Sequence, residues 1–193
     1  MLEELYQKIR DAFPDQDLVL GEGNPHADIM LIGEAPGKTE VEMGRPFVGK
    51  AGKNLDMFLK YIRLAREDIY ITNCVKFRPT RISEWGSVAN RTPKPEEIAA
   101  QRDFLMEEIG LVDPKVLVTL GGIPLKSVLN DMSAAIGAYH GRAVRSTKSG
   151  RTLFPLYHPA SIIYKKELAA TYEKDLERLA SYIATLSSGG LQP

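Results

Sequence analysis

Apolar positions along this chain fall into two patterns, helical spacing and short unbroken runs, and the two alternate. Residues 2–13 place Leu2, Leu5, Ile9 and Phe13 on one side of a helix. Residues 28–32, ending in Ile29-Met30-Leu31-Ile32, form an apolar run of strand length. A helix follows over residues 51–62, with Leu55, Phe58, Leu59 and Ile62 at helical spacing. The next strand spans residues 69–75, and residues 93–109 read as a helix whose first turn holds Pro95-Glu96-Glu97. Residues 116–120 give a third strand, closed by Gly121-Gly122 before a helix around 125–129. Residues 153–157 give the fourth, and residues 168–186 a closing amphipathic helix. The Ser187-Ser188-Gly189-Gly190 stretch predicts a flexible tail over 187–193, leaving residues 1–186 as one domain.

Strands alternating with helices predict an α/β chain, a three-layer α/β/α fold around a central, mostly parallel four-stranded sheet. On such sheets ligands bind outside the carboxyl ends of the strands. The residues predicted there are Gly33 to Gly37, Asn73, Gly121-Gly122 and His158, so the informative polar positions converge on one edge.

The first of these loops, Gly33-Glu34-Ala35-Pro36-Gly37, is followed closely by Gly44-Arg45-Pro46-Phe47-Val48-Gly49. Glycine-bracketed loops at a strand exit let backbone N–H groups approach a ligand. Pro36 stiffens the first loop, and Phe47 offers a flat apolar face in the second. The pair suits a planar, oxygen-bearing molecule such as a nucleobase. A phosphate-binding P-loop is excluded, although Gly37-Lys38-Thr39 imitates its ending. That motif needs four residues after its first glycine, and only Glu34, Ala35 and Pro36 stand here.

Composition narrows the classes further. The 25 basic and 25 acidic residues balance, which argues against a general nucleic-acid coat. The charges are nevertheless uneven: residues 132–166 hold no acid, yet include Arg142, Arg145, Lys148, Arg151, Lys165 and Lys166. Such a stretch forms either a basic surface for a phosphate backbone or an ordinary solvated hairpin. The lone Cys74 excludes an internal disulfide and an all-cysteine metal site. No run approaches a membrane span, and the start lacks a signal peptide's basic and apolar regions, so a cytoplasmic location is expected.

These motifs together resemble the uracil-DNA glycosylase superfamily, family 4 in particular, over residues 21–183. The resemblance is carried by Gly33 to Gly37, by Gly44 to Gly49 with Ala51-Gly52, and by Tyr70-Ile71-Thr72-Asn73. Val75-Lys76 with Arg78-Pro79, and His158-Pro159-Ala160, complete it in the same order. Family 4 usually holds a four-cysteine iron–sulfur cluster. Here Phe77 and Gln101 stand at two of those positions and the N-terminal pair is missing, so no cofactor or metal is expected. Residues 80–89 lengthen a loop that the family keeps short. A related branch that bonds covalently to DNA supplies a histidine from this loop, and this chain has none there.

The resemblance implies hydrolysis of the N-glycosidic bond of deoxyuridine in DNA by a monofunctional enzyme. The alternatives are a glycosylase for another deaminated or modified base, and a protein that binds uracil or damaged DNA without cleaving it. The implied partner is uracil-containing DNA, single- or double-stranded, with no membrane and a monomeric state. Gly33, Ala35, Pro36 and Gly37 would line the uracil pocket, Phe47 would stack on the base, and Asn73 would read its edge. His158 would donate to the uracil oxygen that gains charge, helped by the amides of residues 34–37. The usual first-loop aspartate is replaced by Ala35, which leaves Glu34 and Glu40 as candidate acids. Glu34 is the first choice for positioning water, and Glu40 would border the 5-position of the base. Arg142, Arg145, Lys165 and Lys166 would face DNA, with Ile162 or Tyr164 as the wedge. Trp85 either touches DNA or anchors its loop.

Overall fold

The described residues form eight strands: β1 (Glu22–Gly23), β2 (Ile29–Gly33), β3 (Tyr70–Asn73), β4 (Thr80–Ile82), β5 (Val88–Asn90), β6 (Val116–Leu120), β7 (Val144–Arg145) and β8 (Thr152–Leu156). The helices are α1 (Leu2–Ala12), α2 (Lys38–Met43), α3 (Lys50–Tyr61), α4 (Pro95–Val112), α5 (Gly122–Leu129), α6 (Ile136–Tyr139), α7 (Pro159–Tyr164) and α8 (Ala169–Ser187). This is a computed structural model that describes residues 1–146, 150–164 and 166–187. The tail expected beyond Ser187 therefore lies outside the described residues, as do Lys148, Lys165 and the side chains of Ile162, Tyr164 and Lys166.

The main sheet has the order β1-β3-β2-β6-β8-β7. Its four inner strands are the four predicted ones, and they are mutually parallel. The sheet is nevertheless six-stranded, not four-stranded, because β1 and β7 pair antiparallel along its edges. Each edge strand is two residues long, too short to show an alternation. Within β2 the side chains alternate between faces. Ile29 and Leu31 pack with α3 and α8, whereas Met30 and Ile32 pack with α4 and α5. The result is the expected α/β/α layering. Among the described residues no helix is long and apolar enough to cross a membrane.

Residues 80–90 are not an irregular loop. Thr80↔Asn90, Arg81↔Ala89 and Ile82↔Val88 pair as an antiparallel hairpin separate from the main sheet. Nearby, Phe77 joins an apolar cluster with Val75 and Ile98, and its ring lies 6.0 Å from that of Phe13. Leu18 bridges to Phe77 through the backbone.

Between the sheet and α4 lies a polar network sealed from water. Lys76 and Glu108 are both fully buried and their charged groups are 2.6 Å apart. Glu108 also accepts hydrogen bonds from Tyr70 at 3.0 Å and from Thr72 at 3.1 Å, and Tyr6 donates to it at 3.3 Å. Gly21 is required beside this group, because a methyl group there would overlap the Tyr70 hydroxyl and the carboxylate. Burial of both ions carries a large desolvation cost that only the partner's charge offsets. Glu108→Leu should therefore lower unfolding free energy by about 3–5 kcal/mol. The double variant Lys76→Met with Glu108→Leu should recover most of that loss, as read by urea denaturation. Additive losses in the double variant would show that the two charges are not coupled.

Candidate active site

Asn73 is the last residue of β3, in register with Gly33 at the end of β2. The parallel ladder continues past both: Cys74 N–H donates to Gly33 O at 2.9 Å and Val75 N–H to Glu34 O at 3.1 Å. A side chain at Gly33 would overlap the Asn73 amide oxygen and the edge of the Phe47 ring. Glycine at this position therefore lets the amide and the ring meet over the strand end. Lys76 fixes Asn73 from below, its ammonium donating to the Asn73 carbonyl at 2.8 Å and to Thr72 Oγ1 at 2.5 Å.

Phe47 sits at φ 53°, a left-handed conformation that bulky residues avoid. Its carbonyl accepts from the Arg66 guanidinium and packs where a Cβ on Gly52 would stand, which holds this strained backbone in place. Arg66 is itself braced by Asp56 at 2.7 Å.

The two glycine loops are joined by one carboxylate. Glu40 is buried at the start of α2, and it accepts from Gly37 N–H at 3.1 Å and Gly49 N–H at 2.7 Å. These are charge-assisted bonds, stronger than neutral ones. Because Gly37 gives its N–H to Glu40 and Pro36 has none, neither residue can donate to a ligand as the expected loop amides would.

His158 follows β8 and stands against Gly121, whose φ of 101° and missing side chain leave room for it. Its Nδ1 accepts from the Ala160 backbone N–H at 3.2 Å. An acceptor nitrogen carries no proton, so the ring proton is on Nε2. Burial also pulls the imidazole below its ordinary pKa, which favours the neutral form. The ring thus offers one N–H donor at Nε2.

These elements enclose a cavity of about 410 Å³. Ala35, Pro36, Gly37, Glu40, Phe47, Asn73 and His158 all line it, so the structure brings together the residues that the sequence placed at one edge. An adjoining cavity of about 200 Å³ shares Ala35, Pro36 and His158 and adds Glu34. Burial raises the Glu34 carboxyl above the usual carboxylate range. Asn90 borders both cavities, a position that the sequence reading passed over. It closes β5, and Arg78 Nε donates to its side-chain oxygen at 2.6 Å. Its only signal was its place directly after the lengthened loop.

One predicted DNA contact, Arg145, is not brought to this edge. Arg145 pairs with Thr152 at the start of β8, the end of the strand away from His158. Arg142 lines neither cavity and donates to the Ala138 carbonyl. Arg151, in the same basic stretch, is paired with Asp113 at 2.6 Å. His140 is bound to buried Asp175 at 2.6 Å.

An iron–sulfur cluster does not fit the residues present. Such clusters need several thiolates, and Cys74 is the one cysteine of the chain. It is buried, its thiol pushed up to about 12 by desolvation. Phe77 fills its position with apolar packing, and Gln101 accepts from Lys76 N–H at 2.7 Å.

The family model described as the Uracil DNA glycosylase superfamily matches residues 20–183. A type-4 uracil-DNA glycosylase of Archaeoglobus fulgidus is 37% identical over 83% of this chain and 79% of its own. One from Thermotoga maritima is 36% identical, covering 86% of this chain and 83% of its own. One from Sulfurisphaera tokodaii is 37% identical, covering 86% and 75%. The chain therefore belongs to the uracil-DNA glycosylase superfamily, alongside its type-4 members.

Proposed function

We propose that this chain is a monofunctional uracil-DNA glycosylase, hydrolysing the bond between uracil and deoxyribose in DNA and leaving an abasic site. The observation that carries this reading is the single cavity on which Phe47, Asn73 and His158 converge. A base reached only by leaving the stack needs a stacking face, a reader of its edge and a donor for its developing charge. These three residues supply them in that order. The similarity to type-4 uracil-DNA glycosylases supports uracil as the base.

In this mechanism the C1′–N1 bond breaks and uracil leaves with the bonding electron pair. The His158 Nε2–H meets the uracil oxygen on which that charge collects, without giving up its proton to an ion pair. Water adds to C1′ on the sugar's other side and loses a proton to Glu34, whose raised pKa makes it a better base. Asn90, at the border of the two cavities, orients that water by its amide. Glu40 acts through the loops it ties together and is a positioning residue. Every group needed stands within residues 1–186 of one chain, so a monomer suffices.

The first test is incubation with a labelled strand carrying one uracil, single-stranded or opposite guanine, with chelator present, followed by alkali. Strand breakage at uracil is expected. A folded protein that binds the strand but leaves it intact would overturn the reading, and a panel with hypoxanthine and xanthine separates a shifted base preference. His158→Ala should lower single-turnover rate about 100- to 1,000-fold, the usual effect of losing one aimed donor. An unchanged rate would remove His158 from the mechanism.

The pH dependence follows from the two titrating groups. Glu34 must be ionised, and protonation silences it as pH falls through its raised pKa. His158 must be neutral, and it gains a proton only at pH below the ordinary histidine range. Both requirements fail on the acid side, so the rate should fall steeply there with no loss between neutral and mildly basic pH. Glu34→Gln should make that acid limb shallower, because one proton then controls it. A profile of unchanged slope would exclude Glu34 as the base.

A further inference from the structure

The β4–β5 hairpin carries an apolar ridge exposed to water. Trp85 at its tip is 92% exposed, and the cross-strand pair Ile82 and Val88 is exposed by 78% and 60%. The tip is closed by its own hydrogen bonds. Ser83 N–H donates to Ser87 O at 2.8 Å, Gly86 N–H donates to Ser83 O at 2.9 Å, and Gly86 takes a φ of 73°. Within this turn the indole anchors nothing: the backbone and the serine hydroxyls hold the loop, while the ring points away from the protein. A rigid turn that presents a large flat apolar ring to water calls for a partner.

The base of the hairpin identifies that partner. Asn90 ends β5 and borders both cavities of the site, and Arg91 next to it borders the smaller one. Arg91 fastens this base by donating to Thr80 O at 3.0 Å and pairing with Glu97 at 2.6 Å. The arm therefore rises from the rim of the cavity over which a strand must pass. With Arg91 neutralised by Glu97, residues 78–90 hold two cations, Arg78 and Arg81, against one acid, Glu84, a net charge of +1. That sign suits a phosphate backbone. Three strand residues and half a turn carry the tip about 10–15 Å from Asn90. Along a strand this distance spans a few nucleotides.

We propose that the hairpin is a DNA-contacting arm, and that Trp85 stacks on an unpaired base a few nucleotides from the flipped uracil. In a duplex that base is already stacked and paired, so its face is closed to the indole. The arm thus selects single-stranded substrate. This inference rests on DNA being the substrate of the site described above.

Trp85 is the only tryptophan of the chain, so its emission reports this contact alone. The full-length protein is titrated with an end-labelled single strand containing 2′-fluorodeoxyuridine, whose electron-withdrawing fluorine resists cleavage, and with the matching duplex. Label anisotropy reports binding and indole emission reports stacking. Binding of the single strand should quench the indole. Trp85→Ala should weaken single-strand binding about 5- to 150-fold, the range for one base–aromatic stack. Trp85→Phe should restore most of it, and kcat at saturating strand should stay at the unsubstituted value. The proposal is overturned by anisotropy-detected binding with unchanged emission, or by equal losses on strand and duplex in Trp85→Ala. Abasic product from the ordinary deoxyuridine strand, with no emission change on the fluorinated one, would sink the arm and keep the glycosylase reading. Quenching without abasic product would do the reverse.

Discussion

The Lys76 ammonium, sealed from water beside the Glu108 carboxylate, fixes the end of β3 and with it the position of Asn73. Two ions taken out of water carry a desolvation cost of several kcal/mol each, and close apolar packing would often serve stability as well. What apolar packing cannot do is hold a backbone carbonyl in one direction. Here the ammonium has three acceptors: the carboxylate, the Thr72 hydroxyl and the Asn73 carbonyl. The carboxylate in turn gathers Tyr6 from α1 and Tyr70 from β3 onto α4. One charge pair thus couples three elements to Asn73 at the end of β3. Such fixed geometry matters where a misplaced amide would lose its hydrogen bonds to the ligand.

A second buried carboxylate applies the same device to the loops. Glu40 holds Gly37 and Gly49, one from each glycine loop, and so sets the gap between them. Phe47 stands on the far side of this gap in a backbone conformation that it would not choose alone. The Arg66 guanidinium on its carbonyl and the bare α-carbon of Gly52 make that conformation tolerable. The hydrogen bonds that constrain Asn73, Phe47 and His158 thus fall on a backbone carbonyl, a second backbone carbonyl and the ring Nδ1, and among the described residues no bond is made to the Asn73 amide or to His158 Nε2. This is the arrangement expected of a site organised before its ligand arrives.

Much of this was legible in the residues, and the exceptions have physical causes. The four parallel strands are apolar runs because both faces are covered, so their positions and the convergence of Asn73 and His158 followed directly. The edge strands β1 and β7 are two residues long and obtain their order from their neighbours, which leaves no periodic trace. Arg145 looked like part of a basic surface by spacing. Antiparallel pairing with Thr152 instead carried it to the opposite end of the sheet. The hairpin of residues 80–90 lacks a buried face, so it shows no apolar alternation, and Asn90 at its foot stayed hidden with it. Lys76 was visible as part of a motif, but its burial was not. Only the α4 face carrying Gln101 and Glu108 reveals why a lysine can stand there.

Glu34 and His158 show how the cavity uses the absence of compensation. Desolvation raises the one and lowers the other, and neither shift is relieved by an ion pair. Their pKa values are therefore drawn toward each other, which keeps the histidine neutral while leaving the carboxylate basic. An ionised histidine would lose the Ala160 hydrogen bond and would bind an anionic base tightly even after cleavage. In the proposed reaction, a neutral donor would stabilise the departing charge where it forms and still let the product go.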